Sequence, residues 1–461
     1  MIDAETALAL IAVALIALAI AAIRIGGAGQ VFLVAQVAYW SLSYIARPVV
    51  LLWVQPFPAF GDNVADPRLN RIGYEYGIGM VLQPVVFGLC VYAAVVVAYA
   101  IWSPRRYGSA RSVRSDTDLT TTLLAVYVLG LFGRAAAYLS GTAGSAGEIE
   151  SSDAILDFVA QLASMAAIGL IIYLRPANRR VTLTVLGVLL ILELMWTLTI
   201  QSKTPIMSAA LALALRFCFQ GWTRGRVGAI VAVSALGISA FGLLQAAIKP
   251  ADQTQIALMI SDGQYPSLVR PFLSILRRFD LLEAATDAYY FGGRVWLSPW
   301  EVLRHSLESL APAQLQGGEK FRSGVAWANE VRGASVDMSR VSVSLADGNI
   351  NEGYVFGGYL GVAVGVLFTF ALLHFAVRAL LARHIFFIAL GLAVTEAPVL
   401  FERGILGSME VIGKGLQSAV LIWLIGIAVR QYRRHTTPPG DGGSGHQAIG
   451  AFAGPLNDVD R

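Results

Sequence analysis

The sequence predicts an all-α membrane protein: a polytopic transmembrane helical bundle of about eleven spans, with one long loop between the eighth and the ninth. Three observations predict it. Of the 461 residues, 56% are hydrophobic and only 14% are charged, where an ordinary soluble domain carries roughly 25% charged residues. The mean hydropathy is +0.64. The apolar residues also come in blocks of about 20, the helix length that crosses a hydrocarbon layer of about 30 Å. A soluble fold of this size has no interior able to hide so much apolar surface.

The spans are expected, in order, over 6–23, 31–54, 75–102, 119–140, 154–174, 181–200, 204–218, 227–247, 353–377, 385–402 and 411–430. The first is read as a span rather than a signal peptide, because Asp3 and Glu5 stand where a basic n-region belongs. The seventh is short and contains Pro205, which suits a tilted, broken or re-entrant segment. The net charge is +4 and the pI is near 9.0, but the positions of the charges exclude a nucleic-acid reading. Arg24, then Arg105, Arg106, Arg111 and Arg114, then Arg175, Arg179 and Arg180 fall in alternate loops. Arg224 and Arg226, Arg378 and Arg383, and Arg430, Arg433 and Arg434 continue the series. That asymmetry is a topology signal. It assigns this side to the cytoplasm, with the N-terminus outside and the C-terminus inside. Cys90 and Cys218 lie in or beside apolar segments and read as small packing residues, not as a disulfide or zinc framework.

Two regions are not spans. Residues 435–461 are rich in Gly, Pro and polar residues and read as a disordered cytoplasmic tail. Residues 248–352 form an external loop of a length that is usually functional. Within it, Leu268, Phe272, Ile275, Leu276, Phe279 and Leu282 recur at helical spacing among Arg277, Arg278 and Asp280, so 268–287 is expected to lie as one helix along the membrane surface. Trp300, Leu303, Leu307 and Leu310 predict a second helix over 300–311, stopped before Pro312. Gly357, Gly358, Gly361 and Gly365 open the ninth span and read as a close-packing face. The chain thus divides into spans at 1–247, the loop at 248–352, spans at 353–434 and the tail at 435–461.

A charge inside a span is costly and marks a functional path. Arg47 lies in the second span and Arg134 in the fourth, while Lys203 ends the sixth. Glu396 lies in the tenth, followed by Glu402 and Arg403, and Lys414 opens the eleventh. The orientation puts all of them in the outer half, which suits a cationic cavity open to the outer face. Arg grips phosphate bidentately and Lys adds a compact charge. Snorkelling to the headgroups is the alternative for the cations, and a structural ion pair is the alternative for Glu396 and Arg403. Gly413-Lys414-Gly415 lacks the Ser or Thr and the earlier glycine of a phosphate loop. Neither a zinc-protease HExxH nor a GxSxG elbow occurs. The loop lacks a DxD motif, which argues against metal-assisted sugar transfer. No metal or cofactor is expected.

The order of motifs resembles the bacterial oligosaccharide repeat-unit polymerases, the O-antigen or Wzy-type family. After a span ending Ser202-Lys203-Thr204-Pro205, the loop carries Arg277-Arg278-Phe279-Asp280, then Ala311-Pro312 with Glu319-Lys320. It ends with Ser342-Val343-Ser344 and Asn351-Glu352-Gly353-Tyr354, before Phe356-Gly357-Gly358-Tyr359-Leu360-Gly361. The likeness covers roughly 195–415. Phe321 stands where the family usually has Pro. The resemblance implies a GT-C-like architecture and an inner-membrane enzyme. Such an enzyme transfers a growing glycan from undecaprenyl pyrophosphate to a sugar hydroxyl of the next lipid-linked unit, at the outer face and without a metal. It implies the lipid-linked oligosaccharide and the bilayer as partners, and a chain-length regulator as a possible one. On this reading Arg47, Arg134, Lys203, Arg277 and Arg278 bind pyrophosphate. Glu352 is the first choice of base and Asp280 the second. Glu319, Lys320, Tyr354, Glu396, Arg403 and Lys414 are further site residues. For Asp280 the alternative is a salt bridge to Arg277, and for Glu352 it is a helix N-terminal charge on the ninth span. An O-antigen ligase and a lipid or polysaccharide transporter are the competing readings. The loop offers a ligase only His305, and the inward halves of the spans give a transporter few charges.

Overall fold

A computed structural model describes residues 2–58, 64–103, 117–141, 154–175, 178–200, 202, 204–233, 261–277, 279–312, 320–338, 343–396 and 403–436. Every regular element among them is helical. Among the described residues, eight helices are long and apolar enough to cross a membrane, and two more are apolar but shorter. The chain is therefore a helical membrane protein.

Helix α1 (Ala4–Ile25) begins where the Asp3 carboxylate accepts the Thr6 N–H at 2.7 Å. The acid that argued against a signal peptide is thus an N-cap. Helix α2 (Gly27–Val54) widens to a π-turn over Leu42–Ala46, directly before Arg47 and Pro48. Proline has no N–H to give the preceding turn, and the bulge takes up that lost bond. The short α3 (Pro67–Ile72) and α4 (Tyr74–Val81) follow, then α5 (Gln83–Trp102). The span expected over 75–102 is therefore two helices. They break at Leu82, with Pro84 in the first turn of α5, where a proline is tolerated. Helix α6 (Thr117–Leu139) and α7 (Ala154–Tyr173) form the most intimate pair. Gly130 and Gly133 of α6 leave no room for a side chain against the α7 backbone at Ala163 and Ala160. Helix α8 (Arg179–Thr199) and the short α9 (Thr204–Phe219) occupy the expected sixth and seventh positions. Only residues 224–233 of the expected eighth span are described, as helix α10.

The loop departs from expectation in its first half. No single helix covers 268–287. Short turns at Arg270–Phe272 and Leu273–Leu276 end at Arg277, and α11 runs Leu281–Phe291. Nor does α11 lie on a surface: Leu281, Leu282, Ala284, Ala285, Thr286, Asp287 and Ala288 are all buried. Helix α12 (Pro299–Leu310) matches its prediction and starts with a reciprocal Ser298–Glu301 capping box. A helical segment at 323–334 follows. Ala284, Ala288, Phe291, Trp296, Trp327, Val331 and Val355 form a small core of the loop's own.

Helix α13 (Asn349–Leu380) contains a reversal. Gly357 and Gly358 leave the helical region, and Gly358 has φ +57°, which a side chain tolerates poorly. The arm 349–356 folds back on the start of the membrane helix. Gly361 and Gly365 have no space for a Cβ against the backbone of Gly353 and Asn349. The side chain of Asn349 bonds Thr369 across the hairpin. Of the four glycines expected to pack, two do so and two make the turn. Helix α14 (Ile385–Glu396) and α15 (Ile405–Thr436) complete the bundle, and α15 starts before the predicted 411. The tail beyond 436 lies outside the described residues.

Candidate functional site

The π-turn of α2 brings Arg47 against the loop. Arg47 is 1% exposed and donates to the carbonyls of Phe279 (3.5 Å) and Val64 (3.4 Å). Its Nη2 lies 4.0 Å from Glu283 Oε2 on α11. Glu283 also meets Arg332 Nη1 at 3.1 Å. Arg332 reaches on to Asp287 Oδ2 at 2.9 Å, and Arg68 pairs with Asp287 Oδ1 at 2.7 Å. Arg68 closes the series on Asp66 at 2.7 Å. Three arginines and three carboxylates thus alternate through one buried layer. Trp327 Nε1 donates to Asp287 at 3.2 Å, and Arg68 lies over the Tyr290 ring at 5.7 Å.

The charges tune one another. Burial pushes Asp66 upward, but Arg68 and Arg47 outweigh it and hold the carboxyl below its ordinary value. Burial likewise works against the charge of Arg332, and Asp287 and Glu283 more than restore it. Glu283 goes the other way. Burial pushes it up to about 7, with Asp287 and Asp280 adding to the rise against the pull of Arg332 and Arg47. A carboxyl near neutrality that is 21% exposed suits proton transfer.

Glu352 is in a different position. It is 0% exposed, and its carboxylate accepts the N–H of Ile405 and, at 3.2 Å, that of Leu406. Asp347 Oδ1 accepts the neighbouring Gly404 N–H at 2.9 Å. Burial pushes Asp347 up to about 6, against the charge of Arg403. Gly404 has no room for a side chain beside the Glu352 carboxyl. Glu352 therefore caps the N-terminus of α15. It sits at a helix N-terminus, but that of the last helix rather than the ninth span. A base needs an oxygen open to the acceptor, and this carboxylate is buried on backbone donors. Asn351 ties the arm to the cluster by bonding the carbonyls of Leu281 (3.3 Å) and Asp347 (3.0 Å).

Arg134 lies at a separate site inside the bundle. Glu193 of α8 holds it bidentately at 2.8 and 2.9 Å, Ser164 lies at 2.6 Å, and Trp196 stacks at 5.0 Å. It does not join Arg47 in one open cavity, because its fork is already filled by a carboxylate. Arg277 pairs with Asp262 at 2.5 Å. Asp280 precedes α11 without a side-chain cap, and its charge bears on Glu283. Lys320 donates to the Ser309 carbonyl at 2.7 Å, which finishes α12. Lys414 is exposed on α15. Tyr354 lines a cleft of about 320 Å³ with Tyr289, Tyr359 and Gln83. Glu396 is the last residue of α14. Lys203, Arg278 and Glu319 lie outside the described residues. Among the described residues, no three His, Cys, Asp or Glu side chains group to hold a metal.

Sequence reading missed Asp66, Arg68, Glu283, Asp287 and Arg332. One signal was present: Asp280, Glu283 and Asp287 recur at i, i+3 and i+7 and so share a helix face. No family model, curated protein or solved structure matches the chain.

Proposed function

We propose that the chain is an integral-membrane glycosyltransferase that polymerises oligosaccharide repeat units carried on undecaprenyl pyrophosphate. It works at the outer face of the bacterial inner membrane, with the N-terminus outside and the C-terminus in the cytoplasm. The observation that carries this reading is the meeting of Arg47, from a span, with Arg332, from the loop, on one carboxyl poised near neutrality, Glu283. Such a site suits a reaction that needs cations for a leaving pyrophosphate and a base for an attacking hydroxyl. The acceptor oxygen forms a bond to the anomeric carbon of the donor, and Glu283 takes the hydroxyl proton. The bond from that carbon to the pyrophosphate breaks, and the pyrophosphate leaves with the electron pair. Glu283 takes the role that sequence alone gave to Glu352 and, second, to Asp280. Arg47, Arg332, Arg277, Arg278 and Lys203 bind the pyrophosphate on this reading, and Arg134 keeps a structural role. A chain-length regulator is the expected protein partner.

The polymer profile tests it. A deletion strain should lose the long surface-glycan ladder on gels and still display single repeat units. Complementation with wild type should restore the ladder, and Glu283→Gln at equal protein level should not. Loss of all surface glycan with long lipid-linked chains accumulating would mean a ligase or an exporter. An unchanged profile on deletion would sink the glycan reading. A restored ladder with Glu283→Gln would overturn the choice of base.

A further inference from the structure

Away from the loop, three arginines gather where α7 and α9 end and α10 begins. Tyr173 of α7 donates to the Leu380 carbonyl at 2.6 Å, which places this site at the end of α13 opposite its glycine reversal. Arg216 is 3% exposed. Its Nη1 donates to the carbonyls of Ile171 (2.7 Å) and Leu174 (2.6 Å) at the C-terminus of α7. Arg226 donates to the carbonyls of Gln220 (2.8 Å) and Gly221 (2.5 Å), just after α9, and lies over the Phe217 ring at 5.8 Å. The charges that bear on Arg216 are both cationic, Arg175 and Arg226. Arg175 Nε and Nη2 are buried and have no hydrogen-bond partner among the described residues.

Carbonyls at helix ends offset part of this charge, because the C-terminal dipole is negative. They do not neutralise three cations, and among the described residues no carboxylate forms a salt bridge with this group. Clustered like charges, with Arg216 buried and two buried Arg175 donors unpaired among the described residues, call for an anion with several acceptor oxygens. The geometry points to a phosphate-binding site at Arg175, Arg216 and Arg226, filled by a phosphodiester or phosphate oxyanion. Planar guanidinium groups suit such a group bidentately. Basic pockets between membrane helices take lipid headgroups in this way. Arg216 and Arg226 are fixed by carbonyls, so Arg175 is the arm left to close on the ligand. The site does not depend on the transferase reading.

Thermal unfolding of the purified protein in neutral detergent tests the proposal, with three additions: phosphatidylglycerol, phosphatidylcholine or inorganic phosphate. A ligand that binds only the folded state raises the midpoint, here by about 5 °C at saturation. A rise with phosphatidylglycerol alone identifies a lipid headgroup, and a rise with inorganic phosphate identifies a free anion. In either case Arg175→Gln should remove the shift. Should that variant fail to fold, Arg226→Gln should cut the shift at least by half. The proposal is overturned if neither anion shifts wild type, if phosphatidylcholine shifts it equally, or if the folded variant responds as wild type does.

Discussion

Two groups of arginines receive opposite treatment in this molecule. Under the loop, Arg47, Arg332 and Arg68 alternate with Glu283, Asp287 and Asp66. At the other end, Arg216 and Arg226 bond backbone carbonyls, and Arg175 adds a third cation beside Arg216. The first group balances its own charge, so it holds the loop on the bundle and keeps a defined shape. The second is balanced from outside, so its stability depends on what surrounds it. One member of the first group is able to change charge: burial pushes Glu283 up to about 7. On the proposed reading its protonation frees Arg47 and Arg332 for a phosphate.

Removing one partner from each group gives the largest contrast. Asp287→Ala leaves Arg68 and Arg332 buried without their shared carboxylate. Breaking a buried pair in this way costs about 3–5 kcal/mol. Arg175→Gln removes a cation that only cations oppose, so it should leave the midpoint unchanged or raise it when no lipid is added. Thermal unfolding of both variants in one detergent decides the matter. Equal losses would mean that the two groups are balanced alike.

The two acidic sites near the loop allow a finer contrast. Glu352 caps α15, and loss of a capping carboxylate costs about 0.5–2 kcal/mol. Glu352→Gln should lower the unfolding midpoint modestly and still yield the full polymer ladder. Glu283→Gln should do the reverse, keeping stability and losing the ladder. A ladder lost in Glu352→Gln at wild-type protein level would return the base to Glu352.

The bundle was legible because hydropathy reports each helix locally, and helix ends follow from residues such as Asp3 and Pro84 that act within one turn. The exceptions share a cause. The 357–358 reversal looked like a glycine packing stripe, because the same residue type serves a close approach and a positive φ. The helix expected over 268–287 failed because periodicity shows that a face is apolar, not what covers the opposite face. Α11 is buried on both. Of the candidate site, Arg47 was legible, since an arginine in a span must have a reason. Its partners were not. Glu283 is an ordinary acid in a polar loop until the fold buries it. Asp66 and Arg68 are a local pair, but that pair, Glu283–Asp287 and Arg332 come from segments far apart in sequence, and no local pattern connects the three.

The same cluster sets a pH dependence. Glu283 has an ordinary value near 4.5 and stands at about 7 in the folded protein. Between those values the folded state binds more protons than the unfolded one, so stability falls as pH rises through that window and is flat above it. Asp347 acts in the same direction from 3.8 to about 6. Asp66, held below its ordinary value, contributes stability that is lost only in stronger acid. The unfolding midpoint should therefore decline from about pH 4.5 to pH 7, and the decline should be shallower in Glu283→Gln. The phosphatidylglycerol shift at the arginine end should stay constant over the same range, since guanidinium groups keep their charge throughout. A midpoint that climbs with pH in wild type would mean that Glu283 is ionised in the fold. The loop cluster would then be a permanent ion network with no member free to take a proton.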